Sequence, residues 1–174
     1  MSLPLNLGRV SLRRLRAEDL RDFQAYRQDP EVARYQGWSA QGDEQALAFL
    51  NEMAVAPALL PGVWFQIGIA AAGSDRLLGD IGVRVHEDGQ RAEIGFSLAR
   101  AAQGQGLARE AVQGLLTELL FARPGLSQVQ GITDARNRAS LALLQRLGFV
   151  EQERWHTEFK GEPCVEIGLL LTRR

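Results

Sequence analysis

Two glycines, Gly104 and Gly106, lie in a short polar stretch between a strand-like run and a strongly helical run. The strand-like run covers Ala92 to Leu98, and the helical run covers Leu107 to Phe121. A helix that starts directly after a glycine-rich turn presents N–H groups without partners inside the helix, together with the positive end of the helix dipole. Such groups bind phosphate, and glycines let a diphosphate approach the backbone closely. The chemistry indicated is the binding of a diphosphate-containing ligand.

The spacing of the two glycines fits more than one kind of site. A dinucleotide-binding fingerprint requires a third small residue where Arg109 stands, and an acid about 20 residues further on, where the pattern is helical. A Walker loop requires a Gly-Lys-Ser/Thr ending, and the only lysine of the chain is Lys160. An ordinary tight turn with two glycines remains an alternative.

Other reactive side chains lack the neighbours that their chemistry requires. The two histidines, His86 and His156, do not have metal-ligand spacing, so no metal site is predicted. Cys164 has no histidine close to it in the sequence, and we expect it to be buried and inert. A nucleophilic cysteine enzyme is therefore not indicated.

A longer pattern surrounds the glycines. The segment Gln103-Gly104-Gln105-Gly106-Leu107-Ala108 fits Q/R-x-x-G-x-G/A, and in this it resembles the acyl-CoA pyrophosphate loop of the GNAT superfamily of N-acyltransferases. Downstream, Asn137-Arg138-Ala139-Ser140 followed by Leu147-Gly148-Phe149 resembles the second signature of that family. Upstream, Leu12-Arg13-Arg14-Leu15 and Asp29-Pro30-Glu31-Val32 are similar to the branch of the ribosomal-protein alanine acetyltransferases, the RimJ/RimL-like proteins. The resemblance extends over nearly the whole chain.

The resemblance implies an acetyl-CoA-dependent N-acetyltransferase that passes the acetyl group directly to a primary amine, without a metal. Asn137 is a suitable helix N-cap by itself. In the family, the equivalent asparagine contacts pantetheine, and a backbone N–H near Ser97 or Leu98 donates to the thioester carbonyl. The residues implied to bind acetyl-CoA are Phe96, Ser97, Leu98, Gln103, Gly104, Gln105, Gly106, Leu107, Ala108 and Asn137.

Two side chains are candidates for proton transfer. Glu93 is the predicted general base, acting through a water, because an acid recurs at this position in RimL-like sequences; a solvated residue on a strand face is the alternative. Ser140 is the predicted acid for the leaving thiolate, because the tyrosine common in the family is replaced here by Leu144. A helix-start serine without a catalytic role is the alternative for Ser140.

The sequence defines the acceptor less closely than it defines the donor. Family members place the acceptor groove around the positions of Trp38, Trp155, His156 and Glu158, for which rim packing is the alternative. The acceptor implied is the N-terminal α-amine of a protein. The alternatives are a small amine, such as an aminoglycoside, a polyamine or an amino acid, and a CoA-binding regulator without turnover. An acidic groove would favour polycations, and a tapered hydrophobic groove would favour a peptide end.

The composition is that of a globular protein. With 174 residues, of which 45% are hydrophobic and 24% charged, we expect a single domain over residues 1–174. The net charge of −1 provides no basic field for nucleic acid or for a membrane surface. One cysteine, no signal-peptide pattern and no apolar run of about 18 residues lead us to expect a cytoplasmic protein, either a monomer or a homodimer.

The elements that must position these residues form a mixed α/β fold in the order β-α-α-β-β-β-α-β-α-β-β, one sheet with helices on both faces. The seven predicted strands are Val10–Leu15, Val63–Ala70, Leu77–Val85, Arg91–Leu98, Val129–Thr133, Val150–Phe159 and Val165–Leu171. The first helix is predicted from Glu18 to Asp29, where Pro30 ends it, and Ser39 is predicted to cap the second helix.

The fourth and fifth predicted strands are expected to be parallel, because a helix connects them. The resemblance adds that these two strands splay apart and leave a slot for pantetheine. Gly95 marks either a bulge at this place or room for packing.

Overall fold

The computed structural model describes residues 2–174. The strands are β1 (Leu5–Asn6), β2 (Val10–Arg14), β3 (Trp64–Ala71), β4 (Leu77–Val85), β5 (Arg91–Leu98), β6 (Gln128–Asp134), β7 (Val150–Phe159) and β8 (Glu162–Thr172). They form one eight-stranded sheet in the order β1-β2-β3-β4-β5-β6-β8-β7. The helices are α1 (Leu20–Arg27), α2 (Pro30–Ala33), α3 (Asp43–Val55), α4 (Leu107–Gly114) and α5 (Arg138–Arg146), and α4 continues as a π-helical segment over Leu115–Leu120.

The predicted mixed sheet with helices on both faces is confirmed, and all seven predicted strands are present. Strands β5 and β6 are parallel, as predicted, while every other neighbouring pair is antiparallel. The additional strand β1 has two residues, which is too short to show the period of two by which strands are recognised in a sequence.

The prediction that Pro30 ends the first helix is wrong. Helix α1 already ends at Arg27, and Asp29 then caps the separate helix α2, with its carboxylate accepting from the Glu31 N–H at 3.1 Å. Pro30 occupies the first position of that helix, where the N–H that proline lacks would have no intrahelical partner in any case. Proline therefore begins a helix here rather than ending one.

One further local prediction is wrong, and one of two alternatives is excluded. Ser39 does not cap α3, because the helix begins at Asp43 with Gly42 in extended conformation at its N-cap. Gly95 is not a bulge, because the register between β4 and β5 is uninterrupted and places Gly82 directly opposite Gly95. The splay of the sheet at this point comes instead from lost pairing between β5 and β6.

The helices cover the two faces of the sheet unequally. Helices α4 and α5 pack on one face, where a Cβ at Gly131 would lie only 2.9 Å from a methyl carbon of Leu144. Helices α1 and α3 pack on the other face, where α1 lies against β4. The part of that second face formed by β5, β6, β8 and β7 is called the open face below; Ile132 is 36% exposed there.

A buried polar cluster joins α1 to the sheet. The carboxylate of Asp80, which is fully buried, accepts hydrogen bonds from Arg27 at 2.9 Å, from Gln66 at 2.9 Å and from the Tyr26 hydroxyl. The guanidinium of Arg27 stacks on the ring of Trp38 at 4.1 Å. Burial raises the pKa of Tyr26 well above its ordinary value, so its hydroxyl stays protonated and donates to Asp80.

Candidate active site

The sheet contains a gap between β5 and β6. Their pairing starts at Arg91 with Gln128 and ends at Ile94 with Gly131. Strand β5 nevertheless remains paired with β4 as far as Leu98, and β6 remains paired with β8 to its end. The second halves of the two strands therefore diverge, and the predicted splay is confirmed.

The backbone groups of β5 point alternately to its two neighbours. The Arg91 carbonyl accepts from the His86 N–H on the β4 side, at 2.8 Å. Because both backbone groups of a residue in an antiparallel ladder point to the same neighbour, odd-numbered residues of β5 face β4 and even-numbered residues face β6. The N–H and C=O groups of Phe96 and Leu98 therefore point into the gap.

The carbonyls in the gap have side-chain partners, whereas the N–H groups do not. The Phe96 carbonyl accepts from the Gln36 amide at 3.2 Å, and the Leu98 carbonyl accepts from the Gln103 amide at 2.9 Å. Within residues 2–174, the N–H groups of Phe96 and Leu98 have no ladder partner, because the pairing has already ended. Two preorganised donors are thus available to a carbonyl oxygen or to the amides of a ligand.

The glycine-rich turn has the conformation that a phosphate loop requires. Gly104 and Gly106 have positive φ angles of 75° and 79°, and Gly106 is the N-cap of α4. Side chains other than glycine are strained in this left-handed region. The turn directs the first N–H groups of α4 outward, where the helix dipole also favours an anion.

A clamp formed by Arg9 and Glu110 holds this turn from behind. Arg9 donates to the Gln105 carbonyl at 2.8 Å and to the Glu110 carboxylate at 2.8 Å. Burial would raise the pKa of Glu110, but hydrogen bonds from Arg9 and from the Val10 backbone outweigh it and hold the pKa below its ordinary value. The clamp ties the start of β2 to the loop and to the first turn of α4.

A cleft of about 810 Å³ connects the turn with the gap. Of the residues predicted to bind acetyl-CoA, those that line the cleft are Phe96, Ser97, Leu98, Gln103, Gly104, Gly106, Leu107, Ala108 and Asn137. Gln105 does not line it, because its side chain turns back and donates to the Ala101 carbonyl at 3.0 Å. The structure therefore brings nearly the whole predicted set to one surface.

The start of α5 forms the opposite wall of the cleft. The Asn137 side chain accepts from the Ser140 N–H at 3.3 Å and so caps the helix, which was one of its two predicted roles. Ser140 lines the cleft with its hydroxyl free of hydrogen bonds within residues 2–174. Leu144 is 1% exposed and packs against the sheet, so no proton donor stands at that position.

Glu93 lies on the open face, on the other side of the sheet from the Phe96 side chain, and it does not line the cleft. Burial raises the pKa of Glu93 above its ordinary value; the nearby Glu166 carboxylate adds to this effect, while His86 and Arg84 oppose it. A carboxylate with a raised pKa is a stronger proton acceptor.

Trp38 belongs to a loop that is fastened at both of its ends. Lys160, at the turn between β7 and β8, donates to the Ala33 carbonyl at 2.9 Å and to the Trp38 carbonyl at 3.0 Å. We call this contact the Lys160 clasp. The Trp38 side chain lines a separate pocket of about 250 Å³ together with Arg27 and Gln66, so it lies beside the predicted groove rather than in the cleft.

The predicted acceptor residues of β7 do not all lie together. Trp155 pairs with Glu166, and both side chains are on the open face with Glu93. Side chains alternate along a strand, so His156 and Glu158 point to the opposite face. The structure therefore separates Glu158 and His156 from Trp155.

Several residues of this site were not predicted. Arg9 and Gln36 reach the site only through long-range contacts, and no local pattern marks them. Arg146 lines the cleft one turn beyond Leu143, and the helical period starting from Ala139 could have indicated it. Exposed Arg109, next to the turn, also lines the cleft.

In residues 2–174, no cluster of three or more His, Cys, Asp or Glu side chains is arranged to hold a metal ion. No helix in the same part of the chain has the length and apolar character to span a membrane.

Comparisons with known proteins agree with this geometry. Residues 9–150 match the family described as Acetyltransferase (GNAT) domain. The uncharacterized N-acetyltransferase p20 of Bacillus licheniformis is 29% identical over 149 residues, covering 83% of this chain and 80% of that protein. A GNAT-family acetyltransferase from Bacillus anthracis superposes with a TM-score of 0.85 at 18% identity, covering 98% of both chains. The ribosomal L7/L12 α-N-protein acetyltransferase RimL, solved with coenzyme A, superposes with a TM-score of 0.83 at 16% identity, covering 97% of both chains.

Proposed function

The chain belongs to the acetyltransferase (GNAT) family and is an acetyl-CoA-dependent N-acetyltransferase, and we propose that it acetylates the N-terminal α-amine of a protein. The observation that carries the proposal is the gap between β5 and β6. It joins the cleft beneath α4 and α5 to the open face, so a donor bound on one side of the sheet can meet an amine that arrives from the other.

The donor is proposed to lie along the cleft. The diphosphate would bind the N–H groups from Gln103 to Ala108 at the start of α4. The pantetheine amides would meet the backbone groups of Phe96 and Leu98 in the gap and the side chain of Asn137. In this arrangement the thioester lies at the gap, close to Ser140.

The reaction follows from this placement. Glu93, through a water, accepts a proton from the ammonium, and the neutral amine attacks the thioester carbonyl. The oxyanion that forms accepts from an unpaired N–H of Phe96 or Leu98. The C–N bond forms, the nitrogen releases its second proton to solvent, the C–S bond breaks, and the sulfur receives a proton from Ser140, which is replaced from solvent. Acetyl-CoA and amine thereby yield the acetamide and CoA.

The choice of acceptor rests on two points. The similar fold of RimL belongs to a protein described as an α-N-protein acetyltransferase of ribosomal L7/L12. An α-amine has a pKa of about 8, so a sizeable neutral fraction exists near neutral pH and one half-buried carboxylate, Glu93, is sufficient as a base.

A second candidate acceptor, a small polycationic amine, is favoured by the charges on the open face. Glu93, Glu153 and Glu166 carry their side chains on this face, and none of them takes part in an ion pair of residues 2–174. Unpaired carboxylates attract cations along the path to the gap.

The test is acetyl-CoA consumption with a panel of acceptors. The panel contains lysine-free peptides with a free amino terminus, the same peptides with a blocked terminus, a polyamine and an aminoglycoside. We expect turnover with the free peptides and none with their blocked counterparts. Turnover restricted to the small amines would replace the α-amine proposal by the second candidate.

A further inference from the structure

Three glycines lie in one row across the open side of the sheet. On one side of the gap, Gln66 of β3 lies opposite Gly82 of β4, and Gly82 lies opposite Gly95 of β5. Residues directly opposite one another in an antiparallel pair carry their side chains on the same face. These three positions therefore form one line perpendicular to the strands.

The row continues on the other side of the gap. Ile132 of β6 lies opposite Gly168 of β8, and Gly168 lies opposite Glu153 of β7. The last pair between β5 and β6 is one residue earlier along both strands, so Ile132 is the position that faces Gly95 across the gap. The centre of the row is thus the place where the sheet opens.

The outer glycines are covered by side chains, whereas Gly95 is not. A Cβ at Gly82 would lie 2.8 Å from the Gln66 amide oxygen, and a Cβ at Gly168 would lie 3.3 Å from the ring of Trp155. A Cβ at Gly95 would have no atom of residues 2–174 within 4 Å. The row is therefore free at Gly95, with Gln66 covering Gly82 on one side and the Ile132 side chain across the gap on the other.

Neither of the usual reasons for glycine applies at Gly95. Its φ angle is not among the positive ones, so its backbone conformation is open to any residue. No neighbouring side chain occupies the position of its absent Cβ, so close packing does not require glycine either. What the missing side chain provides is free space directly beside the gap.

From this we propose that Gly95 is a specificity-determining residue. The absence of a side chain at Gly95 leaves the opening through which the acceptor amine reaches the thioester. This opening admits amines whose nitrogen is attached to a branched carbon. The inference rests on the proposed transfer through the gap. The Cβ position lies on the same face as Glu93 and Ser97 and opposite the Phe96 and Leu98 side chains, and Gly95 itself does not line the donor cleft. A methyl group there narrows the path of the acceptor and leaves the donor cleft unchanged.

The test compares the wild type with Gly95→Ala on pairs of amines that differ only in branching. Peptides starting with glycine are paired with the same peptides starting with alanine or serine, and an unbranched alkylamine is paired with its α-methyl analogue. We expect kcat/KM of Gly95→Ala to fall about 10- to 200-fold more for the branched member of each pair, the range for one additional carbon in a tight site. Acetyl-CoA affinity, measured by calorimetry, is expected to stay within about 2-fold, because the added methyl points away from the cleft.

The matched control is Gly42→Ala, since a Cβ at Gly42 also has no atom within 4 Å, and Gly42 is the N-cap of α3 away from the gap. The control should change neither affinity nor the ratio between branched and unbranched amines. An unchanged ratio in Gly95→Ala, with the thermal unfolding of both variants equal to wild type, overturns the inference. Loss of acetyl-CoA binding in Gly95→Ala also overturns it, because the side chain would then enter the donor cleft.

The two proposals fail in different ways. If only the alkylamines are accepted, the α-amine proposal is wrong, and the inference is decided by the ratio within the alkylamine pair. If peptides are accepted but the ratio is unchanged in Gly95→Ala, the α-amine proposal stands and the inference is overturned. Turnover with no amine in the panel overturns both.

Discussion

Replacing Asp80 by asparagine should destabilise the fold severely while changing hardly any volume. Asp80 is fully buried and accepts from Arg27, Gln66 and Tyr26, as described above. Asparagine has nearly the same shape, so the cavity contribution is small. The substitution removes the negative charge and leaves the buried guanidinium of Arg27, which is 7% exposed, without its counter-ion.

The magnitude follows from that uncompensated charge. Removing one partner of a buried ion pair costs about 3–5 kcal/mol. In a domain of this size each kcal/mol lowers Tm by about 2–4 °C, so a fall of about 6–20 °C is expected. The Gln66 amide also donates to Asp80, so the same change disturbs the contacts of the side chain that covers Gly82.

The assay is equilibrium urea unfolding followed by tryptophan fluorescence, with a thermal scan in parallel. The matched control is Asp75→Asn, which breaks the ion pairs with Arg13 and Arg16 at a carboxylate that is 45% exposed. Exposed pairs contribute about 0–1 kcal/mol, so the control should differ little from the wild type. A double-mutant cycle with Arg27→Met isolates the coupling, because the second substitution removes the charge that the first leaves unpaired.

A small or an additive effect of these substitutions would show that Asp80 and Arg27 are not a coupled buried pair. A loss of less than about 1 kcal/mol in Asp80→Asn would mean that the buried charge is compensated by something other than Asp80. Additivity of Asp80→Asn and Arg27→Met to within about 0.5 kcal/mol would mean that the two groups are not coupled.

Further predictions concern three residues of the site. Gly104→Asp should bind acetyl-CoA about 10-fold or more weakly than Gly104→Asn in calorimetric titration. Both side chains carry the same conformational cost at a positive φ angle, but only aspartate places a negative charge beside the diphosphate. Equal affinities of the two variants would contradict a phosphate site at the turn. Ser140→Ala should lower kcat and leave acetyl-CoA affinity nearly unchanged, since thiolate protonation matters mainly in the transition state. An unaltered kcat would mean that Ser140 has no catalytic role and is only a residue at the start of the helix. Glu93→Gln should lower turnover of an α-amine about 10- to 100-fold, with much of the loss recovered as the pH rises, and pH–rate profiles identical to wild type would exclude Glu93 as the base. The raised pKa of Glu93 means that its ionised form costs stability above that pKa, and that this cost disappears below the unfolded value of about 4.3. Glu93→Gln should therefore be at least as stable as wild type in urea at neutral pH, and the difference should vanish as the pH falls towards 4.

The sequence predicted the parts of the site that are continuous in the chain. The turn from Gln103 to Ala108 and the cap at Asn137 are local features, because a helix start depends on the few residues around it. The splay between β5 and β6 was expected from the family resemblance alone. Its basis in the structure, the end of pairing after Ile94, is a property of two distant strands.

What the sequence could not predict depends on contacts across the fold. Arg9 reaches Gln105 over 96 residues, and Gln36 reaches Phe96 over 60 residues. The role of Gly95 could be interpreted only from the register of β5 with its neighbouring strands. From the sequence, the same glycine was compatible with a bulge or with close packing. Ser39 is a residue type that favours a helix N-cap, but the chain continues as a loop after it, and α3 begins at Asp43 with Gly42 as its N-cap.

The Lys160 clasp has a consequence for the self-modification of this enzyme. Lys160 is the only lysine in the chain, so it is the only side-chain amine that the protein's own acyl donor could modify. Acetylation would remove its charge and leave a single amide N–H where the ammonium now serves two carbonyls, at Ala33 and Trp38. The loop between those residues carries Gln36, which reaches into the gap. Among the side chains, acetylation of an amine by acetyl-CoA would thus be confined to Lys160, which secures one wall of the enzyme's own site.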